Sequence, residues 1–253
     1  MNRVNHAKPF TQEKSEEIYV RNRLFYDSLW KRAKIRSPTS FNTWPLVKTL
    51  IAGRKRLLEI GPGVRPRLPL EQACFLDLSP EAVSKLKTSG ARALLGNAIE
   101  LPFSAASFDL VCALDIVEHA PGTYALGEIG RVLRRGGLLL VAVPLYSALW
   151  TEYDSVVGHH LRYEPGELVE ILEQNGLEVL RSATFGILPR NRLLVRTAAW
   201  MLSRLRGPAI WFEDRLVLPI AGLLAKRLRL KSGFHTEEDV DGVILLCEKK
   251  EAQ

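Results

Sequence analysis

The sequence predicts a doubly wound α/β fold, in which helices cover both faces of a parallel sheet. The first observation behind this is that short apolar segments alternate along the chain with amphipathic segments of about 10–15 residues. The second is that glycines close several of these segments, as at Gly61-Pro62-Gly63, Gly90 and Gly176. Parallel strands require helical crossovers of this kind, because the chain must return to the same edge of the sheet before each new strand.

Residues 1–50 are predicted to form an N-terminal helical cap with one break. Ile18, Phe25 and Leu29 lie at helical spacing, which indicates an amphipathic helix. A stretch that contains proline, serine and asparagine then interrupts the pattern before Leu46. The cap therefore precedes the alternating region.

The sheet is predicted to contain seven strands. Ser79 and Pro80 begin the helix after the second strand, because serine is a good N-cap and proline suits the first helical position, and Gly90 ends that helix. Two further helices are predicted near residues 123–134 and over residues 165–174. The predicted strands are residues 56–60, 73–78, 91–95, 108–114, 138–143, 177–185 and 242–248.

The composition is that of an ordinary globular protein. Of 253 residues, 47% are hydrophobic and 25% are charged, which excludes a disordered, collagen-like or disulfide-scaffold chain. Cys74, Cys112 and Cys247 lack a metal-binding spacing and are predicted to be buried, reduced thiols of a cytoplasmic protein. The first residues lack the apolar core of a signal peptide, and no apolar stretch has the length of a membrane span. We therefore expect neither export through a cleaved signal nor a membrane-spanning segment.

The excess of positive charge is concentrated in one segment. The chain has 35 Lys and Arg against 28 Asp and Glu, yet residues 181–231 contain 11 basic residues and only two acids. About fifty residues separate the sixth predicted strand from the last, which is too long for a plain connection. Residues 186–235 are therefore predicted to be a basic amphipathic helical insertion, with helical stretches around residues 193–205 and 216–228.

Four roles are open for this insertion. They are a lid over a hydrophobic acceptor, peripheral docking on an anionic membrane surface, an oligomer interface and nucleic-acid binding. Because the sixth strand should run parallel to the others, the insertion should begin at the carboxyl edge of the sheet, which favours the first two roles. Nucleic acid is disfavoured, because the basic residues are interleaved with aliphatic side chains rather than with exposed aromatics and glycines. The oligomeric state is not predicted.

A ligand site is predicted at the carboxyl end of the first strand. Gly61 and Gly63 allow the backbone to approach a ligand there, and Asp77 at the end of the second strand is suited to accept hydrogen bonds from ribose hydroxyls. Pro66 stands where a dinucleotide fingerprint has its third glycine, and Asp77 comes earlier than the acid of that fingerprint. The pattern favours a nucleoside ligand without phosphates.

Six motifs follow one another in order along residues 55–185. They are EIGPG from Glu59, DLS from Asp77, GNAIELPF from Gly96, SFDLV from Ser107, VEH from Val117 and RVLRRGG from Arg131. Together they resemble the class I S-adenosylmethionine-dependent methyltransferases, most closely the small-molecule group with the type 11 pattern. The resemblance implies a Rossmann-like methyltransferase core of residues 51–185 and 236–253 that uses S-adenosylmethionine.

The resemblance also implies a set of cofactor contacts. They are Glu59, Gly61, Gly63 and Asp115 at the methionine part, Asp77 at the ribose, and Leu78, Asn97 and Ala98 at the adenine. His119 is predicted to lie near the pocket, where it either packs against the protein or contacts the cofactor. Two departures from the family pattern stand out: Arg65 replaces the usual third glycine, and Pro66 with Pro69 should make the first helix short or absent. Glu59 has the alternative role of capping a neighbouring loop, and Asp109 is predicted to serve the fold rather than a ligand.

A second group of polar side chains follows the fifth predicted strand. The stretch GHHLRYEPGEL resembles the G-H-x-R-[YF] stretch of related methyltransferases, which implies that it helps to form the acceptor pocket. His159, His160 and Tyr163 are candidates for a general base, and the alternative is that His160, Arg162 and Tyr163 anchor the loop. No metal site is predicted, because adjacent histidines rarely converge on one ion. The predicted substrate contacts are Trp150, Tyr153 and Arg162.

The function predicted from these features is methyl transfer from S-adenosylmethionine to a small or lipophilic acceptor, with oxygen favoured over nitrogen or carbon. The alternative from a different class is a non-catalytic S-adenosylmethionine-binding protein that acts as a regulatory or membrane-associated partner. The glycine and acid motifs require only binding, so the histidine pair is the feature that separates the two.

Overall fold

The computed structural model describes residues 12–120, 122–185, 192–217, 228–236 and 240–250. Within them, a central sheet confirms the predicted α/β architecture and has eight strands rather than seven. The strands are β1 Leu57–Ile60, β2 Ala73–Asp77, β3 Arg92–Leu95, β4 Phe108–Leu114, β5 Leu133–Pro144, β6 Leu177–Thr184, β7 Lys231–Ser232 and β8 Gly242–Lys249. The additional strand, β7, is an exposed edge strand of two residues, which is too short to produce an apolar pattern.

The strand order is β3-β2-β1-β4-β5-β8-β6-β7. Strands β1 to β5 pair in parallel, whereas β8 runs antiparallel to both β5 and β6. The direction of β6 is therefore the same as that of β5, as predicted, and its carboxyl end lies at the same edge of the sheet. An antiparallel strand needs no crossover helix, which explains why none precedes β8 in the sequence pattern.

The helices are α1 Gln12–Trp30, α2 Trp44–Ile51, α3 Pro80–Thr88, α4 Gly122–Val132, α5 Glu152–Val157, α6 Pro165–Gln174, α7 Arg192–Arg204 and α8 Arg206–Phe212. Residues 61–72, all of which are described, contain no helix between β1 and β2. Pro66 and Pro69 account for this, because proline in a helix interior removes a hydrogen bond and clashes with the preceding turn.

The two faces of the sheet are covered by different helices. In β4, Val111 and Ala113 belong to the hydrophobic cluster that contains the buried side of α4 and α6. Their neighbours Leu110 and Cys112 belong to the cluster that contains α2 and α3. Successive strand residues point to opposite faces, so this division is what a sheet buried on both sides requires.

The helix α1 is fastened across the start of α3. Asp27 accepts hydrogen bonds from the Ser79 hydroxyl and the Glu81 N–H, both at 2.8 Å. Ser79 in turn caps α3, as predicted, by accepting the Ala82 N–H at 3.2 Å. Because α3 follows β2 directly, these bonds hold α1 over the carboxyl edge of the sheet.

The described part of the insertion packs on α1 rather than standing alone. A third hydrophobic cluster joins the two, with Phe25, Leu29, Trp30 and Ala33 from the N-terminal region, Val157 from α5, and Leu202, Ala209 and Ile210 from α7 and α8. The predicted helical stretch at 193–205 corresponds to α7. The predicted stretch at 216–228 lies mostly outside the described residues. No described helix is both long and apolar enough to cross a membrane.

Asp109 serves the fold, as expected. Its carboxylate accepts the N–H groups of Lys55 and Arg56 at 3.1 and 3.0 Å and pairs with the Arg56 and Arg134 side chains. Although partial burial acts in the opposite sense, these hydrogen bonds hold the pKa of Asp109 well below its usual value. Asp109 thereby ties the start of β1 to β4 and β5.

Candidate active site

A cavity of about 340 Å³ opens at the carboxyl edge of the sheet, under α1 and the insertion. This is where an open α/β sheet binds its ligand. Many of the residues that line it lie at or just after the ends of β1, β2, β3 and β4, so the sheet itself brings these together. Of the predicted cofactor contacts, it is lined by Glu59, Gly61, Asp77, Leu78, Asn97, Ala98, Asp115 and His119.

The turn after β1 requires glycine at two positions. Gly61 and Gly63 have φ values of +64° and +55°, which L side chains rarely adopt. A Cβ at Gly61 would clash with Ile116, and one at Gly63 would clash with the Trp30 ring. Gly63 lies outside the cavity lining and supports it from behind, because its N–H donates to Asp77 Oδ2 at 2.7 Å.

Asp77 is fixed at the end of β2 by its own backbone surroundings. It is 5% exposed, and the N–H groups of Gly63 and Ser79 donate to its two oxygens at 2.7 and 2.8 Å. Burial raises the pKa of Asp77 to about 6, despite the lowering effect of these hydrogen bonds. Each carboxylate oxygen can accept a further hydrogen bond, so two ribose hydroxyls would find acceptors here.

Glu59 holds the loop that replaces the missing helix. Its carboxylate accepts the Arg67 N–H at 2.9 Å and the Leu68 N–H at 2.8 Å. Burial raises the pKa of Glu59 to about 7, although both hydrogen bonds act to lower it. The loop-capping role is thus present, and because a carboxylate has about four acceptor sites, Glu59 keeps capacity for a cationic ligand group.

Two further carboxyl groups reach the cavity from the segment after β4. Asp115 has a positive φ of 55°, and burial raises its pKa against the opposing effect of Arg67. Glu118 is fully buried, and neither of its carboxyl oxygens has a hydrogen-bond partner among the described residues. Burial, followed by the nearby Asp115, raises the pKa of Glu118 well above its usual value. The cavity therefore concentrates carboxyl groups that are poorly solvated.

The adenine end of the predicted site is less polar. Leu78 and Ala98 line the cavity there together with Ile99. Asn97 also lines it, and its side-chain oxygen accepts the Ile99 N–H at 3.2 Å. This hydrogen bond fixes the amide, so the Asn97 side-chain oxygen is partly engaged within its own loop.

Of the three predicted candidates for a general base, His159 lines the cavity and the other two do not. The His160 N–H donates to the Glu118 carbonyl at 2.8 Å. Tyr163 is buried, and its hydroxyl donates to the Val117 carbonyl at 3.4 Å. The sequence did not indicate whether His159 or His160 faces the cavity, because the two are adjacent and their orientations depend on how the loop turns after α5.

The three predicted substrate contacts are also divided. Tyr153 and Arg162 line the cavity, and burial raises the pKa of the Tyr153 hydroxyl well above its usual value. Arg162 is held by two 3.0 Å bonds to Asp154 and by the carbonyl of Leu145 at 3.2 Å. Trp150 is 40% exposed outside the cavity lining, where its indole N–H donates to the Ser155 hydroxyl at 3.1 Å.

The helix α1 contributes cavity residues that the sequence pattern did not reveal. Tyr26 lines the cavity, and its hydroxyl lies 3.3 Å from His119 Nε2. Trp30 lines it beside the Gly63 turn, and the Arg65 guanidinium stacks 5.4 Å from the Trp30 ring. A helical periodicity identifies an apolar face but not what that face covers, so no local signal could have found these two.

Glu118, His119 and His159 form a cluster whose ligand-type atoms lie within 4.8 Å of one another. The His119 ring is already engaged, with Nδ1 3.1 Å from the Gly158 carbonyl and Nε2 beside the Tyr26 hydroxyl. Burial, followed by the neighbouring His159, lowers the pKa of His119 to about 3, so its ring is neutral. An ion here would have to displace an existing bond of His119, and the absence of a metal stays a prediction.

Arg65, which replaces the usual third glycine, connects the glycine turn to the insertion. Its guanidinium pairs with Glu213 at 2.9 Å and with Asp214 at 3.5 Å. Arg36 pairs with Asp214 at 3.3 Å. The two acids of the basic segment are thus bound by arginines from outside it, and this fastens the insertion over the cavity, where Leu202 and Glu213 contribute to the lining.

Comparison with known proteins agrees with this arrangement. Residues 58–141 match the model of a family described as "Methyltransferase domain", the type 11 group. The chain is 34% identical over 109 residues to malonyl-[acyl-carrier protein] O-methyltransferase of Herminiimonas arsenicoxydans. The aligned region covers 43% of this chain and 41% of that protein. It is 28% identical over 141 residues to 24-methylenesterol C-methyltransferase 2 of Oryza sativa subsp. japonica. That alignment covers 51% of this chain and 37% of the rice protein.

These matches span less than half of the length of either curated relative. Among solved structures, the fold is similar to phosphoethanolamine N-methyltransferase 2 of Haemonchus contortus bound to S-adenosylhomocysteine, with a TM-score of 0.56, 17% identity and coverage of 91% of this chain and 58% of that one. The family model, the relatives and the cavity at the carboxyl edge lead to one conclusion. Residues 58–141 are similar to the methyltransferase domain of the type 11 group, and the fold of the chain is that of solved S-adenosylmethionine-dependent methyltransferases.

Proposed function

We propose that this protein transfers a methyl group from S-adenosylmethionine to an oxygen of a small or lipophilic acceptor. The observation that carries the proposal is the cavity, whose lining combines poorly solvated carboxyl groups with the imidazole of His159. The three relatives named above act, by their names, at oxygen, carbon and nitrogen. The choice of oxygen therefore rests on His159 and not on the relatives.

The residues present suit S-adenosylmethionine. Asp77 would hold the ribose, and Leu78 with Ala98 would contact the adenine. Glu59 and Asp115 would face the methionine part, whose amino group and sulfonium are both positive. Carboxylates that lack water are stabilised by a nearby positive charge, so a cationic ligand would offset the free-energy cost of burying them. The cofactor would supply a methyl group that is already activated by the sulfonium.

The contribution of the chain is orientation, exclusion of water and removal of a proton. A hydroxyl is a weak nucleophile until its proton is taken, whereas a free amine needs no base before it attacks. His159 lines the cavity with Nδ1 2.8 Å from Asp154 Oδ1. The other ring nitrogen is thereby available to the acceptor proton, which supports an oxygen acceptor.

A lipophilic acceptor delivered from a membrane surface is supported by the outer side of the insertion. Trp200, Trp211 and Phe212 are 57%, 61% and 45% exposed. Arg204 and Arg215 are exposed beside them, and Glu213 and Asp214 are taken by Arg65 and Arg36, so the exposed charge is positive. We call the five residues Trp200, Arg204, Trp211, Phe212 and Arg215 the insertion face. Bulky apolar side chains with arginines suit the headgroup region of an anionic bilayer.

Replacing Asp77 with Ala should weaken binding of S-adenosylhomocysteine by roughly 1–3 kcal/mol, because the ribose would lose its charged acceptor. Isothermal titration calorimetry measures this. Asp109→Asn is the control, since Asp109 also accepts backbone N–H bonds but lies outside the cavity. The Asp109→Asn protein should bind S-adenosylhomocysteine with the affinity of the wild type. If the wild-type protein does not bind S-adenosylhomocysteine at all, the proposed function is wrong.

His159→Gln should lower kcat for an oxygen acceptor by about 10²–10⁴-fold, as loss of a general base does, with little change in S-adenosylhomocysteine affinity. Candidate acceptors are found by measuring S-adenosylhomocysteine release with a panel of lipophilic phenols, alcohols, carboxylic acids and amines. His235→Gln, at an exposed histidine outside the cavity, is the control and should retain the wild-type rate. Turnover of amines alone, unaffected by His159→Gln, would contradict the assignment to oxygen. Cofactor binding with no turnover of any class would favour the non-catalytic alternative.

The protein should cosediment with vesicles of phosphatidylglycerol and phosphatidylcholine, and added salt should weaken the binding, since exposed charges are screened. Trp211→Ser should reduce binding several-fold. Tyr124→Ser removes another exposed aromatic, 58% exposed on α4, and should have no effect. Absence of binding to anionic vesicles at low salt, or equal loss in both variants, would contradict the role of the insertion face.

A further inference from the structure

Asp154 is the most extensively bonded side chain next to the cavity. It is fully buried and lies in the first turn of α5. Thr151 donates to Oδ2 from both its N–H and its hydroxyl, each at 2.7 Å. Arg162 donates Nε to Oδ1 and a terminal nitrogen to Oδ2, both at 3.0 Å. His159 Nδ1 lies 2.8 Å from Oδ1.

These contacts make Asp154 an anion. Burial acts to raise its pKa, but the bonds from His159, Arg162 and Thr151 outweigh it and hold the pKa of Asp154 well below its usual value. An ionised carboxylate can only accept hydrogen bonds. His159 must therefore carry a proton on Nδ1, and in the neutral ring the lone pair is then on Nε2.

The ring of His159 is aimed into the cavity by its other neighbours. Its Nε2 lies 3.7 Å from Glu118 Oε1. The His119 ring packs against it edge-on, with ring centroids 4.8 Å apart. The charged or titratable groups around the His159 ring are Asp154 with its partner Arg162 at Nδ1, Glu118 and His119 as further neighbours, and Asp115, which interacts with it electrostatically.

We infer that Asp154 is a positioning residue, which fixes His159 in the one tautomer and orientation that present a basic Nε2 to the acceptor. The inference rests on the proposed function. In the reaction the acceptor O–H bond breaks as the oxygen bonds to the methyl carbon; the proton goes to His159 Nε2, and the electron pair of the broken carbon–sulfur bond stays on sulfur. The imidazolium formed in this way would lie beside the Asp154 carboxylate, which stabilises its charge.

Arg162 has a part in this arrangement that differs from substrate binding. Its guanidinium satisfies both oxygens of Asp154 and also donates to the carbonyls of Leu145 and Asp241, at 3.2 and 3.3 Å. A buried carboxylate is stable only when it is paired in this manner. The GHHLRY stretch thus supplies the imidazole and, three residues later, the cation that keeps its partner ionised.

Nitrogen-15 NMR of the imidazole rings tests the inference without cofactor or acceptor. In protein labelled at histidine, the His159 signals are identified by their loss in His159→Gln and are recorded where the ring is neutral. We expect His159 in the Nδ1–H tautomer. In Asp154→Asn the side-chain amide can donate to Nδ1, so the ring should change to the Nε2–H tautomer. Thr151→Ala removes a different bond to the same carboxylate and should leave the Nδ1–H tautomer unchanged.

Steady-state kinetics provide a second test of the role of Asp154, with an acceptor identified in the panel assay of S-adenosylhomocysteine release. Asp154→Asn should lower kcat by at least about 100-fold with KM and S-adenosylhomocysteine affinity within about threefold of wild type, as expected for a misplaced base. Thr151→Ala should stay within about threefold in all three quantities.

An Nε2–H tautomer in the wild type overturns the inference, and this reading stands even if Asp154→Asn does not fold. A folded Asp154→Asn protein with unchanged tautomer or unchanged kcat overturns it as well. Failure to bind S-adenosylhomocysteine would instead contradict the proposed function. The tautomer measurement would still show whether Asp154 fixes the tautomer of His159.

Discussion

The constraint on which the site depends is the crowding of carboxyl groups at the carboxyl edge of the parallel sheet. Glu59, Asp77 and Glu118 are buried there and Asp115 is half-buried, all around one cavity. A buried carboxylate without a partner costs several kcal/mol, which is why burial raises the pKa of each of the four. The fold stabilises part of this charge with backbone N–H groups at Asp77 and Glu59. A bound cationic ligand would stabilise the rest of this negative charge.

The covering of the cavity follows from the same constraint, because carboxyl groups remain poorly solvated only where water is kept out. The helix α1 contributes Tyr26 and Trp30 to the lining, and the insertion packs on α1 through a shared hydrophobic cluster. Arg65 then binds Glu213 across the opening. The departure from the glycine motif therefore has a role in the site, because Arg65, which replaces the glycine, attaches the insertion. Pro66 keeps the turn free of helix.

Much of the core could be predicted because its signals are local. Strands β1 to β6 and the helix at 165–174 follow from apolar runs and from glycine and proline boundaries, and Asp77 follows from its place at a strand end. How the covering helices dock over the site could not be predicted in the same way. Whether His159 or His160 faces the cavity depends on the turn after α5, and the contribution of Tyr26 depends on how α1 docks through Asp27. These are tertiary contacts between segments that are far apart in sequence.

The most direct test of the account is the number of protons exchanged when S-adenosylmethionine binds, measured by calorimetry in buffers of different ionisation enthalpy. Burial raises the pKa of Glu59 to about 7 and that of Asp77 to about 6. A cationic ligand favours the ionised forms, so binding at about pH 6.5 should release protons, and affinity should rise with pH by up to about tenfold per unit for each group until both are ionised. Glu59→Gln should reduce the release. Binding that exchanges no protons between about pH 6 and 7, or that takes protons up, would contradict the central claim.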